Sequence, residues 1–341
     1  MTIRGSIAMV HVCAVLLCVF GAGVLIWEFV RFIAVFPSAA VLAAVLELPV
    51  VLVGFVILRR LRPVHAPAWR WSAAALVWGA TAAAGCALLA NEGLTGLWAK
   101  GAGVKFASNW SASLSAPLNE EALKLCGVAL VALAAPLMIN GPLDGLIFGA
   151  ITGLGFQAAE NVTYGLNAIV LSGGTSPDSA VLGSALLRVA TTGVGSHWTM
   201  TAVAGAGLGY LIRYLRRSRS AGQGGERDEA GLLPATACLI AGLGMHLLFD
   251  APGPPIELKV GVNFTIVAVL YLLLSSAFVR RARTVLAARA AAGLVSPAEA
   301  DSVLSRRRRR AQLRLVEEPA ERAAVRARQR EILAEVDAEA A

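Results

Sequence analysis

Long apolar runs bounded by charged or turn-forming positions dominate the chain as far as about residue 280. A membrane crossing takes about 20 apolar residues, and runs of that kind fall at 7–27, 36–58, 72–92, 118–138, 144–165, 181–212, 232–250 and 261–279. Beyond residue 280 the pattern changes: Ala, Arg and Glu dominate, Arg306 to Arg310 is an unbroken basic stretch, and Glu and Arg intermingle after Glu317. The expected fold is all-α, a polytopic membrane bundle of about eight transmembrane helices with a helical cytoplasmic tail. It divides into an N-terminal three-helix region with an external loop (1–115), a membrane core (116–280) and a basic tail (281–341). The first run follows Arg4, but it is long and has no small-x-small cleavage site before Glu28, so it is expected to be retained rather than removed as a signal peptide. Between Asn91 and Ser115, glycines, serines, lysines and the aromatics Trp98, Phe106 and Trp110 predict an external loop lying at the interface.

Composition agrees with the pattern. Of 341 residues 57% are hydrophobic and 15% charged, with a mean hydropathy of +0.68, against about 45–50% apolar in a soluble domain. That excludes a soluble enzyme, a secreted disulfide module and a disordered protein. The net charge of +8 points to topology and anionic lipid rather than nucleic acid, because cytoplasmic loops collect Lys and Arg. With the N-terminus inside, the expected cytoplasmic segments hold 24 of the 30 basic residues, including Arg59, Arg60, Arg62 and Arg70, a group from Arg213 to Arg227, and fourteen from Arg280 onward. Both termini are therefore expected in the cytoplasm of a bacterial plasma membrane. The five cysteines lie in apolar runs with no C-x-x-C pair, which predicts packing roles rather than disulfides or thiolate metal ligands.

Ionisable groups inside a bilayer cost roughly 2.5–3.5 kcal/mol each and mark functional interiors. Four runs concentrate them. The fourth opens with Asn119-Glu120-Glu121-Ala122-Leu123-Lys124, in which one ammonium reaches either carboxylate at helical spacing. The fifth carries Phe156-Gln157-Ala158-Ala159-Glu160-Asn161, preceded by Gly145, Gly149 and Gly153, a small-residue face for close helix packing. The sixth holds Arg188, read as a boundary marker, and deeper His197. The seventh holds His246 and Asp250, which share a face at i and i+4. At about 1.5 Å per residue, Glu160, His197 and His246 reach a common level with Glu120 and Glu121 in the outer half of the bilayer. Glu47, in the second run, has no visible partner and is read as a buried hydrogen-bonding group.

Glu120-Glu121-x-x-Lys124, Phe156-x-x-x-Glu160-Asn161, His197 and His246-x-x-x-Asp250, each on its own run, resemble the PrsW family of intramembrane proteases, which is related to the CAAX prenyl proteases. The resemblance covers about residues 115–255 and leaves the tail without an inherited role. It implies cleavage near the external face of a single-pass membrane protein, typically an anti-sigma factor, as the start of regulated intramembrane proteolysis, by an enzyme often described as a metalloprotease. Carried over from the CAAX proteases, it implies Glu120 as base, Glu160 as its partner, and His246 with Asp250 as the oxyanion or metal group. Glu160 stands where CAAX proteases have histidine.

Peptide hydrolysis needs an activated water, a base and positive charge facing the oxyanion, and each ingredient is present. No G-x-S-x-G elbow and no H-E-x-x-H signature occurs near these groups. Glu160, His197 and His246 form one candidate metal set, a carboxylate with two imidazoles, as in many zinc sites; a metal-free pairing of Glu120 and Glu160 is the alternative. Other functions built from such groups are a proton-coupled transporter, which predicts repeats or interrupted helices not evident here, and a non-catalytic scaffold. The partners expected are a single-pass membrane substrate and anionic lipid at the cytoplasmic face, with the tail dispensable for bond cleavage.

Overall fold

A computed structural model describes residues 3–220 and 231–340; Arg227 lies outside the described residues. The described part is all helix. Helices α1 (Ile3–Val35) and α2 (Pro37–Leu61) are followed by α3 (Trp69–Trp78), a π-helical turn at Gly79–Ala83 and α4 (Ala84–Ala102), which run on as one long element. Then come α5 (Val104–Ala134), α6 (Pro142–Leu171), the short α7 (Pro177–Leu187) with a second π-helical turn at Arg188–Thr192, α8 (His197–Ser220), α9 (Leu232–Asp250) and α10 (Ile256–Ala291). The tail forms α11 (Pro297–Val303), α12 (Arg306–Leu315) and α13 (Pro319–Ala340). Proline begins α2, α6, α7 and α11, where its missing N–H costs nothing and its fixed φ suits the first turn.

Among the described residues, five segments are long and apolar enough to cross a membrane: Ile7–Val35, Pro37–Leu61, Trp69–Ala102, Leu232–Asp250 and Ile256–Ala291. This is an integral membrane protein. Of the eight runs expected to cross, those now forming α5, α6 and α8 are not among the five, and they carry most of the polar groups. Helix α6 is the centre of the molecule, with every residue from Pro142 to Gln157 buried. Its predicted glycine face packs on α8. A Cβ placed on Gly145, Gly149 or Gly153 would lie 2.1, 2.2 or 2.6 Å from the carbonyl oxygens of Gly205, Thr201 and His197, so the two backbones touch as the small-residue spacing requires.

Three expectations are corrected. The segment from Asn91 to Ser115 is not a loop but the turn of an α4–α5 hairpin, reversed at Gly103, whose φ of 92° favours glycine. Its polar residues pair across the hairpin: Trp98 Nε1 donates to Ser115 Oγ at 2.9 Å and Asn119 Nδ2 to Asn91 Oδ1 at 2.7 Å. The fourth run accordingly starts at Val104 rather than 118. The sixth run is not one helix, because Gly193 to Ser196 interrupts it and His197 opens a new helix. Arg188 is thus no boundary marker about 13 Å from His197; both contact Glu160.

The tail is helical as expected, and it is docked on the bundle. Ile332 and Val336 of α13 are buried in one cluster with Leu286 of α10 and Val303 of α11. Buried Arg62, just after α2, donates to Asp144 Oδ1 at the start of α6 (2.6 Å) and to Asp337 Oδ1 of α13 (3.2 Å), and His65 Nε2 lies 3.0 Å from Asp337 Oδ2. Burial pushes the Asp337 carboxyl up to about 6, while burial and the neighbouring Arg62 push the His65 imidazole down to about 4. The raised Asp337 value contributes to docking at low pH, a contribution lost as pH rises through about 6. The lowered His65 value contributes above its ordinary pKa of about 6.5, a contribution lost as pH falls towards about 4. Between those limits the two oppose each other, so docking is expected to vary little with pH in the native protein. His65→Gln leaves only the Asp337 effect, and hydrogen exchange of α13 should then slow as pH falls from 6 to 4, after correction for intrinsic rates, by up to about tenfold per pH unit. An unchanged profile in that variant would show that Asp337 does not titrate on docking.

Candidate active site

Helix α5 places Glu120, Glu121 and Lys124 on one face, as the three- and four-residue spacings require. All three are buried. Lys124 Nζ lies 3.1 Å from Glu120 Oε2, 2.9 Å from Glu121 Oε1 and 3.0 Å from His197 Nδ1, and 3.9 Å from the centre of the Phe156 ring. A buried ammonium is tolerable only when paired this completely. The other carboxylate oxygens are also taken: Asn91 Nδ2 donates to Glu120 Oε1 and Thr201 Oγ1 to Glu121 Oε2, each at 2.8 Å.

The hydrogen bonds orient the two histidine rings. Because Lys124 donates to His197 Nδ1, the ring proton sits on Nε2 and is donated to Glu160 Oε2 at 2.6 Å. His246 Nδ1 donates to Glu121 Oε1 at 3.0 Å, and the ring turns Nε2 to the other side, towards Glu120 and Asp250. That nitrogen is buried and makes no hydrogen bond, although Glu120 Oε2 is 3.7 Å away and Asp250 Oδ2 3.4 Å. The rings lie 5.1 Å apart at an interplanar angle of 77°.

The seven residues picked from the sequence, Glu120, Glu121, Lys124, Glu160, His197, His246 and Asp250, therefore meet in one cluster drawn from α5, α6, α8 and α9. One atom each from Glu120, His197 and His246 lies within 4.8 Å of the others. This set fits a metal ion on two independent grounds. It presents one carboxylate and two imidazoles, one of them with a buried nitrogen that makes no hydrogen bond. Each imidazole also donates its other N–H to a carboxylate, His197 to Glu160 and His246 to Glu121, the arrangement that orients metal-bound histidines. The carboxylate in the set is Glu120, not the Glu160 of the sequence-derived candidate, since Glu160 faces the opposite nitrogen of His197.

Several residues of the cluster were not recognised from the sequence. Arg188 Nη2 pairs with Glu160 Oε2 at 2.7 Å, and its Nε donates to Asn161 Oδ1 at 2.5 Å. Asn161 Nδ2 in turn donates to Glu47 Oε2 at 3.1 Å. Glu47 is thus the end of a buried chain that reaches Glu160, and its partner lies 114 residues away. Asn91 and Thr201 carried no signal, being a helix-end amide and one of several threonines in an apolar run.

Glu120 and Glu160 border a cavity of about 230 Å³, walled by Leu25 of α1, Ala84, Leu88 and Asn91 of α4, and Phe156 and Tyr164 of α6. Glu160 is the more accessible of the two, with 22% of its side chain exposed against 3% for Glu120. The cluster is thus a metal-ready polar group at the end of a cavity between α1, α4, α5 and α6.

No curated protein and no solved structure matches the chain. Residues 67–277, which hold all seven of these side chains and more than half of the sequence, match the profile described as PrsW family intramembrane metalloprotease. A match of that extent over the segment that builds the buried Glu120, His197 and His246 group makes this chain a member of the PrsW family of intramembrane metalloproteases.

Proposed function

We propose that the protein uses zinc to hydrolyse a peptide bond near the external end of a single-pass membrane protein of the anti-sigma-factor type. In this reading α5, α6 and α8 cross a bacterial plasma membrane together with the five apolar segments, and both termini are cytoplasmic. The observation that carries the reading is the pair of histidines turned towards Glu120 by carboxylates on their far sides, at a cavity open between membrane helices.

Glu120, His197 Nδ1 and His246 Nε2 would hold the metal, with Lys124 Nζ giving up its present bonds to Glu120 Oε2 and His197 Nδ1 and keeping the one to Glu121. Zinc held there supplies the Lewis acidity that amide hydrolysis needs. Glu160, accessible from the cavity and held by Arg188 and His197, takes the proton from the attacking water and returns it to the leaving amine. Glu121 fixes the His246 ring, and Lys124 keeps Glu120 and Glu121 from facing each other as unscreened like charges. Leu25, Leu88 and Phe156 line the approach with apolar surface suited to a membrane-spanning substrate.

The test uses the full-length protein in detergent and a single-pass protein that accumulates in membranes lacking it. Expected are discrete cleavage, about one zinc per chain, loss of cleavage with a strong chelator and recovery on adding zinc. Ion flux in liposomes without any cleavage would replace the protease by a carrier.

A further inference from the structure

Two adjacent cavities outside the catalytic cluster share Leu61 and Tyr271 in their walls, where the Tyr271 hydroxyl donates to the Leu61 carbonyl oxygen at 2.7 Å. The first, of about 580 Å³, is a groove between α2, α6 and α10, walled by apolar side chains such as Val53, Ile57, Leu154 and Phe264. The second, of about 510 Å³, lies where α2 ends and where the apolar part of α10 gives way to arginines. It is lined by Arg60, Arg62, Arg280, Arg283 and Arg306, with Ser275 and Ser276 beside them and, among the described residues, no carboxylate in its wall.

Five guanidinium groups around one space repel one another. Two are spoken for: Arg62 is paired with Asp144 and Asp337, and Arg306 donates to the backbone oxygens of Val64 and Arg62. Among the described residues the side chains of Arg60, Arg280 and Arg283 have no hydrogen bond or ion pair, and all three are exposed. Burial and the nearby Arg60, Arg310 and Arg62 charges hold the Arg306 guanidinium below its usual pKa, as an excess of positive charge would.

An occupant must answer both halves of this space. A free phosphate would neutralise the arginines and leave the groove empty; an apolar helix or a neutral lipid would fill the groove and leave the arginines unpaired. A molecule with a phosphate at one end and a hydrocarbon chain at the other satisfies both, and guanidinium is the preferred side-chain partner of phosphate. Basic pockets between membrane helices at the headgroup level bind such lipids. We propose that the two adjacent cavities together form a binding site for an anionic phospholipid, with its phosphate held by Arg60, Arg280 and Arg283 and one acyl chain laid past Tyr271 in the groove between α2 and α10. The site is independent of the proteolytic chemistry. It turns the expected general attraction of the basic tail for anionic lipid into a defined pocket, to which the tail contributes Arg306.

The experiment is native mass spectrometry of the full-length protein in detergent, titrated with phosphatidylglycerol, with phosphatidylcholine of the same acyl chains, and with glycerol phosphate, which has the anionic head and no chain. Phosphatidylglycerol should bind its first site at least tenfold more tightly than phosphatidylcholine, and glycerol phosphate should not compete at concentrations a hundredfold higher. Arg280→Gln with Arg283→Gln, and separately Arg60→Gln, should lower the phosphatidylglycerol affinity towards that of phosphatidylcholine. Ala268→Trp, which fills the groove, should weaken both lipids. The arginines changed are exposed and unpaired, so these variants keep the test valid even if the tryptophan variant fails to fold. Equal binding of the two lipids, retained preference in both arginine variants, or effective competition by glycerol phosphate would each overturn the proposal, the last by showing a phosphate site with no use for the groove.

Discussion

Changing His246 to glutamine is expected to abolish cleavage, by at least about a thousandfold, and to remove bound metal at the same time. The side-chain amide can still donate to Glu121, as Nδ1 does at 3.0 Å, but it does not reproduce the Nε2 nitrogen that stands buried without a hydrogen bond beside Glu120 and Asp250. The fold should therefore survive while the donor is lost. Glu120→Gln is expected to behave in the same way, because a neutral amide oxygen replaces the charged ligand. Glu121→Gln belongs to a milder class. It touches the cluster through His246 and Lys124, so it should weaken metal affinity by about 10- to 100-fold and be partly rescued by excess zinc. Zinc per chain, measured alongside cleavage rate in detergent, separates these outcomes. One zinc per chain in a correctly folded His246→Gln protein would show that the ion sits elsewhere.

Gly149→Val should be severely damaging although it lies outside the polar cluster. A Cβ at Gly149 would lie 2.2 Å from the carbonyl oxygen of Thr201 and 3.2 Å from the Cα of Gly205. Both are backbone atoms of α8, so no side-chain rotation relieves the clash and the helices must part. Overpacking that cannot relax costs about 3 kcal/mol or more. The effect should reach the site directly, because the same stretch of α8 carries Thr201, which donates to Glu121, and begins with His197. Thermal unfolding in detergent should move well below the native midpoint and the metal should be lost. Gly96→Ala is the matched control, since nothing lies within 4 Å of its Cβ position. Native stability in Gly149→Val would mean that α6 and α8 do not pack through this face.

The polar cluster was legible in the sequence because charges in apolar runs are costly and so stand out. Glu120, Glu121, Lys124, Glu160, His197, His246 and Asp250 needed only helical spacing and depth to be grouped. Which carboxylate joins the histidines was not legible, since depth along a helix says nothing about which ring nitrogen of His197 faces α5 and which faces Glu160. Glu47 was undervalued because its partner Asn161 is distant in the chain. The α4–α5 hairpin read as a loop because serine, asparagine and glycine are usually loop residues; here they are satisfied across a helix pair, with a single glycine making the turn. The break before His197 had a local signal in Gly193 and Gly195, but the apolar residues on both sides concealed it.

The contact between Arg62 and Asp337 spans 275 residues and bears on the order in which the chain is assembled. Arg62 follows α2, and it acquires Asp144 only when α6 has formed and Asp337 only when α13 has been made. Until then the carbonyl oxygens of Arg62 and Val64 also wait for Arg306. The end of the bundle is thus completed by a segment made 275 residues after Arg62, so the Arg62–Asp337 contact forms only after every helix between them has been synthesised.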